Sequence, residues 1–157
     1  MNYKDTNNMH RIYVSGALTG IESSLEIKSF YEAVALLCEE VGFNAYVPHL
    51  VTDPIRHSSV TPKSVFETDK RQVIQADLII AYVGLPSLGV GMELAYAETN
   101  NIPIILLYEQ DKNISRFPRG IPTVIAEIQF KDYSDALIKL SAALNRFEPP
   151  KFNPIKI

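Results

Sequence analysis

Five short runs of apolar and β-branched residues alternate along the chain with segments whose apolar residues recur at helical spacing, and this alternation restricts the fold more than any other feature. RIYVS at 11–15, NAYVP at 44–48, DLIIAYV at 77–83, PIILL at 103–107 and the segment 123–130 read as strands bounded by turn residues. Between 30 and 41, Phe30, Val34, Leu37 and Val41 share one helical face, and Gly42 ends that helix. A second helix starts with Thr61 as N-cap and Pro62 at N1 and runs to about 75; two more span about 88–100 and 133–146. Strands joined through helices of this length require right-handed crossovers. The expected fold is therefore a small doubly wound α/β domain, flavodoxin- or Rossmann-like, with a mostly parallel five-stranded sheet covered by helices on both faces.

The length, 157 residues, and a 46% hydrophobic content suit one compact domain over 1–157, with loosely held tails at about 1–9 and 148–157. Cys38 is the only cysteine and sits beside Leu36 and Leu37, which makes it an expected core residue rather than half of a disulfide. A net charge of −3 offers no broad basic field for a nucleic-acid polymer or an anionic membrane. The polar start, MNYKDTNNMH, and the absence of a run of about 20 apolar residues lead to the expectation of a cytoplasmic protein with no membrane partner.

In doubly wound domains ligands bind beyond the carboxyl ends of the strands, which directs attention to the loops after 15, 48 and 83. The third of these continues as SLGVGMEL, where Ser87 can cap a helix whose first turn carries Gly89 and Gly91. Free N–H groups and bare backbone at a helix start favour an anion such as a phosphate, although many α/β loops contain glycine. Glu93 lies one turn beyond Gly89 on the same face, within reach of a sugar attached to that phosphate, and on a different side from Glu98. The residues alone leave open that Glu93 is an ordinary surface glutamate favoured by the helix dipole.

Asp69 falls angularly among Val65, Phe66, Val73 and Ala76, in the middle of an apolar helix face. A carboxylate there has to be paired, hydrogen-bonded, protonated or open to a cleft, and desolvation would suit it to general-acid work; capping a neighbour or pairing with an arginine would serve equally. One carboxylate to attack an anomeric carbon and one to protonate a leaving group are the minimum for glycosidic cleavage. No GxGxxG, P-loop or GxSxG motif is present, and His10, His49 and His57 lack metal-ligand spacing, so neither cofactor nor metal is expected. His49, after a strand end, is a further candidate for lining a pocket.

With these segments in place, IYVSGALTG and DKRQVIQADLIIAYVGLPSLGVGMELAYA resemble the nucleoside 2-deoxyribosyltransferase-like family, and within it the 2′-deoxynucleoside 5′-phosphate N-hydrolases and nucleoside-monophosphate glycosidases. The likeness covers about 11–145 and is most specific at Asp69, Asp77 and SLGVGMEL. It implies that Glu93 is a nucleophile forming a glycosyl-enzyme intermediate, that Asp69 assists the departing base, and that Tyr13 lies near sugar and nucleophile. It also implies that Ser87 binds the 5′-phosphate, beside the bare backbone of Gly89 and Gly91, and Gly16 in the first loop is a further candidate for substrate contact. SRFPRG at 115–120 resembles the segment from which a neighbouring subunit supplies a phosphate-binding serine, here Ser115, in a homodimer. Its ordinary reading is a surface turn with solvated Arg116 and Arg119.

Ala17 and Thr19 stand where phosphate-preferring hydrolases often carry serine and arginine, while Ser87 stands where transferases commonly carry aspartate. The expected activity is hydrolysis of a nucleoside 5′-monophosphate, 2′-deoxy by the likeness, to free base and pentose 5-phosphate. The rivals are base exchange, a glycohydrolase acting on NAD-like dinucleotides, and a non-catalytic nucleotide sensor.

Overall fold

A computed structural model describes residues 9–20 and 24–149. The expected tails at about 1–9 and 148–157 fall outside these, apart from Met9, Glu148 and Pro149. Five strands, β1 (Arg11–Ser15), β2 (Asn44–Tyr46), β3 (Leu78–Tyr82), β4 (Ile104–Glu109) and β5 (Val124–Phe130), form one sheet in the order β2-β1-β3-β4-β5. Every neighbouring pair is parallel. The helices are α1 (Leu25–Glu40), α2 (His49–Thr52), α3 (Pro62–Ile74), α4 (Leu88–Thr99), α5 (Arg116–Arg119) and α6 (Tyr133–Leu144). The expected mostly parallel sheet is wholly parallel, and the order is that of a doubly wound domain with its reversal between β1 and β3.

Strand alternation divides the core into two layers. Ile12, Val14, Leu78 and Ile80 point to one face, where they pack with Phe30, Val34 and Cys38 of α1 and Leu140 and Leu144 of α6. Tyr13, Ile79, Ala81, Ile104 and Leu106 point to the other, against Val73 of α3 and Val90, Leu94 and Ala97 of α4. Thr61 caps α3 by accepting from the Ser64 N–H at 3.2 Å, and Ser87 caps α4 by accepting from the Val90 N–H at 3.3 Å. Gly42, at φ +98, takes the left-handed conformation that closes α1.

Three expectations need correction. The buried face of α1 is broader than expected: Phe30 and Val34 are buried and Leu37 and Val41 pack against the same core as the spacing implies, but Tyr31, Ala35 and Cys38 are buried beside them. The strand expected to reach Pro48 ends at Tyr46, since Pro48 has no N–H for the ladder and instead starts the short helix α2. The turn segment at 115–120 contains the short helix α5, where Arg119 pairs with Glu127 at 2.7 Å rather than being merely solvated.

One ion pair ties the segment after α2 to the opposite layer. Lys28 of α1 donates to Asp53 at 2.6 Å, and both residues are buried. The other Asp53 oxygen accepts from the Ile55 and Arg56 N–H groups at 2.8 and 2.9 Å, so the carboxylate has donors on both sides. The Lys28 hydrogen bond holds its pKa well below the usual carboxylate range against the opposing effect of burial. Breaking such a pair strands a buried charge, whereas replacing both partners with apolar groups does not. Lys28→Met is expected to destabilise the fold by about 3–5 kcal/mol in denaturant titration, with most of that loss recovered in Lys28→Met/Asp53→Leu.

Candidate active site

The end of β1 places two hydroxyls on the α4 side of the sheet. Tyr13 and Ser15 are two residues apart on a strand, so their side chains leave the same face. Tyr13 Oη donates to Glu93 Oε1 at 2.7 Å and Ser15 Oγ donates to Glu93 Oε2 at 2.5 Å. Both oxygens of the carboxylate are thereby held, and Tyr13 and Ser15 are themselves fully buried. On the neighbouring strand Tyr46 is the register partner of Tyr13, and the two rings stack with centroids 5.5 Å apart. Tyr46 Oη reaches Asp69 Oδ1 at 3.4 Å. Two carboxyl groups from two helices are thus aimed by two stacked tyrosines from adjacent strands.

Asp69 and Glu93 open into one cleft of about 520 Å³ between α3, α4 and the segment after α2. That volume accommodates a small molecule of nucleotide size. Thr52, Pro54, His57 and Ser58 form one wall, the part of the chain that Asp53 anchors; Val65, Phe66, Met92 and Tyr96 supply apolar surface, and Gly89 and Lys70 complete the lining. The upper part of the apolar face of α3 therefore turns to the cleft rather than the core. Only Val73 within that helix is buried, which explains how Asp69 can sit among apolar residues.

Burial pushes the Glu93 carboxyl up to about 7, against the hydrogen bonds from Ser15 and Tyr13 that lower it, with the nearby Asp69 charge adding to the rise. Burial likewise pushes Asp69 up to about 6, opposed by the hydroxyls of Tyr46 and Thr52. The Tyr13 phenol is held far above its ordinary value, first by burial and then by the charges of Glu93 and Asp69, which keeps it a proton donor in its hydrogen bond. Two carboxyls with raised and interacting pKa values in one cleft can each gain or lose a proton near neutral pH.

The other expected site residues divide. Ser87 caps the start of α4, with Gly89 and Gly91 in its first turn; a Cβ on Gly89 would meet only Ser87 Oγ, at 3.7 Å, and one on Gly91 nothing within 4 Å. The packing of the chain does not itself require glycine at either position. Gly16 lies at the end of β1 but faces Tyr31, whose ring atoms would stand 2.3 Å from an added Cβ, and it does not line the cleft. His49 is buried on the α1 side, 2.8 Å from Glu32 and beside the Tyr31 ring, and does not line the cleft either. Ser115 is exposed at the start of α5, where its hydroxyl caps Phe117, and is not brought to Glu93 within one chain. Asp77 accepts from the Arg11 N–H at 2.9 Å and from His10, a strand-end contact away from the cleft. Sequence reasoning missed Ser15, Tyr46, His57 and Lys70. Strand alternation from Tyr13 signals Ser15, while the other three become visible only in three dimensions.

A carboxyl whose folded pKa is raised keeps its proton in the native state where the unfolded chain has already released it. Burial of Glu93 therefore costs stability increasingly as pH rises from its ordinary 4.5 toward about 7, and the full cost persists above that. Glu93→Gln is expected to raise the Tm by on the order of 10 °C at about pH 8, with the difference disappearing near about pH 4. An unchanged Tm at both pH values would contradict the burial of this charge.

The profile of the nucleoside 2-deoxyribosyltransferase family matches residues 12–146. A candidate 2′-deoxynucleoside 5′-phosphate N-hydrolase of Thermofilum pendens is 32% identical over 139 residues, covering 85% of this chain and 94% of that one. A relative of the same description from Methanosarcina mazei is 29% identical, covering 80% and 78%. Among solved structures, the CMP N-glycosidase BcmB of Clostridium botulinum superposes with a TM-score of 0.65 at 22% identity, over 85% of this chain and 98% of that one. The 2-deoxyribosyltransferase of Bacillus psychrosaccharolyticus superposes with a TM-score of 0.60 at 18% identity, over 81% and 90%, a likeness of fold. With a match spanning nearly the whole described sheet and its helices, the chain belongs to the nucleoside 2-deoxyribosyltransferase family.

Proposed function

We propose that the protein hydrolyses the N-glycosidic bond of a nucleoside 5′-monophosphate, of the 2′-deoxy series, through a covalent glycosyl–Glu93 intermediate. The observation that carries this reading is the clamped Glu93 carboxylate facing Asp69 across one cleft. Tyr13 and Ser15 fix the direction of the Glu93 oxygens, so one of them meets the anomeric carbon without a search for orientation. As the Glu93 O–C1′ bond forms, the C1′–N bond breaks and its electron pair leaves with the base, which takes a proton from the Asp69 carboxyl. Water then attacks C1′, returns Glu93 as carboxylate and gives its proton to Asp69. Nucleotide and water become free base and pentose 5-phosphate.

The phosphate rests at the start of α4, against Ser87, Gly89 and Gly91, where first-turn N–H groups and the helix dipole favour an anion and no side chain intrudes. Ser115 serves the phosphate of a neighbouring copy, and Leu88 and Phe117, each 92% exposed, are apolar surface that a homodimer covers.

Incubation with ribo- and deoxyribonucleosides and their 5′-monophosphates, with chromatography of released base, tests this reading. Monophosphates are expected to outperform nucleosides, and Glu93→Ala to lower kcat by at least about 10³-fold. A new nucleoside on addition of an acceptor base would assign base exchange instead.

The reaction requires Glu93 ionised and Asp69 protonated, the reverse of their order of acidity, so only a minor fraction of the protein carries the productive pair between about pH 6 and about pH 7. The kcat/KM profile is therefore expected to fall below about 6 and above about 7, and Asp69→Asn to abolish the alkaline limb while lowering kcat by about 10²–10⁴-fold. A profile flat from about pH 4.5 to about pH 8.5 would remove the two carboxyls from the rate.

A further inference from the structure

Lys70 is a cation in the reaction cleft that the mechanism above leaves unused. It follows Asp69 on α3 and lines the same cavity. Its Nζ lies 4.7 Å from the Tyr96 ring centroid and 5.3 Å from that of Phe66, and these two rings meet edge to face at 6.2 Å. Among the described residues it has no carboxylate within ion-pair distance. A positive charge held on two ring faces in a largely apolar cleft retains hydrogen-bonding capacity for a ligand.

The helix spacing says which part of the ligand lies there. Gly89, Glu93 and Tyr96 descend one face of α4, each step covering about one turn. With phosphate at Gly89 and the anomeric carbon at Glu93, the base occupies the level of Tyr96, across from Asp69 and Lys70 on α3. When the C1′–N bond breaks, the electron pair left on the base is delocalised onto a ring carbonyl oxygen wherever one is present. An ammonium has three donors and no acceptor, so it complements that oxygen and is mismatched with an exocyclic amine.

We infer that Lys70 binds the leaving nucleobase by donating to a ring carbonyl oxygen, so that the protein favours carbonyl-bearing bases, the pyrimidines and 6-oxopurines, over adenine. This inference rests on the proposed N-glycosidic cleavage. Lys70 supplies no proton: Asp69 protonates the base, while Lys70 stabilises the charge that builds up before that transfer and raises kcat.

The test is kcat/KM for the 5′-monophosphates of deoxyuridine, deoxyinosine and deoxyadenosine, and for the same nucleosides without phosphate, on the wild type, Lys70→Met and Lys70→Arg. Lys70→Met is expected to lose about 10–100-fold on the uracil and hypoxanthine substrates, mostly in kcat, and less than about threefold on adenine, with Lys70→Arg recovering much of the loss. Equal losses on all three bases, or a loss that vanishes when the phosphate is removed, would overturn the inference. If the wild type releases no base from any nucleotide, the proposed cleavage itself fails, and calorimetric binding decides Lys70 separately. In that case deoxyinosine monophosphate must lose affinity for Lys70→Met while deoxyadenosine monophosphate does not; equal behaviour of the two nucleotides rejects the role.

Discussion

The structure turns on the bond set at the end of β1, where Tyr13 and Ser15 together hold the two oxygens of Glu93. A carboxylate drawn from solvent has to be given donors, and here the donors come from the most deeply enclosed part of the sheet. Both side chains are fully buried at the end of a strand, so close packing leaves neither room for another rotamer. The same burial that raises the Glu93 pKa toward neutrality also costs stability wherever the group is ionised.

The doubly wound topology makes room for this arrangement. α1 leaves β1 toward one layer and α4 leaves β3 toward the other, so a crevice opens above the junction of the two strands. α3 closes one side of that crevice with Asp69, and the segment after α2 forms a wall over it. That wall has little apolar contact of its own and is located by the buried Lys28–Asp53 pair, which reaches it from α1. The position of the cleft thus depends on a charge pair from the layer that does not carry the carboxyls.

The secondary elements were legible because local chemistry and tertiary packing agree. Thr61 and Ser87 cap the helices that follow them, Gly42 closes α1, and the apolar runs become strands. Other side chains are placed by long-range contacts that no local pattern contains. Packing against the sheet and α6 extends the buried face of α1 from Phe30 and Val34 to Tyr31, Ala35 and Cys38. His49, expected at a pocket, pairs with Glu32 on the opposite layer, and Gly16 is bare to admit the Tyr31 ring.

The sequence by itself determined the periodicities, the caps and the presence of two carboxyl groups on two helices, because each of these depends on residues within a few positions of one another. Only the tertiary structure decided that these groups share one cleft. Strand register stacks Tyr46 on Tyr13, helix packing faces Asp69 toward Glu93, and Lys70 finds its rings on two different helices. The raised pKa values follow from that enclosure, since desolvation belongs to the assembled surroundings of a group and not to its neighbours along the chain.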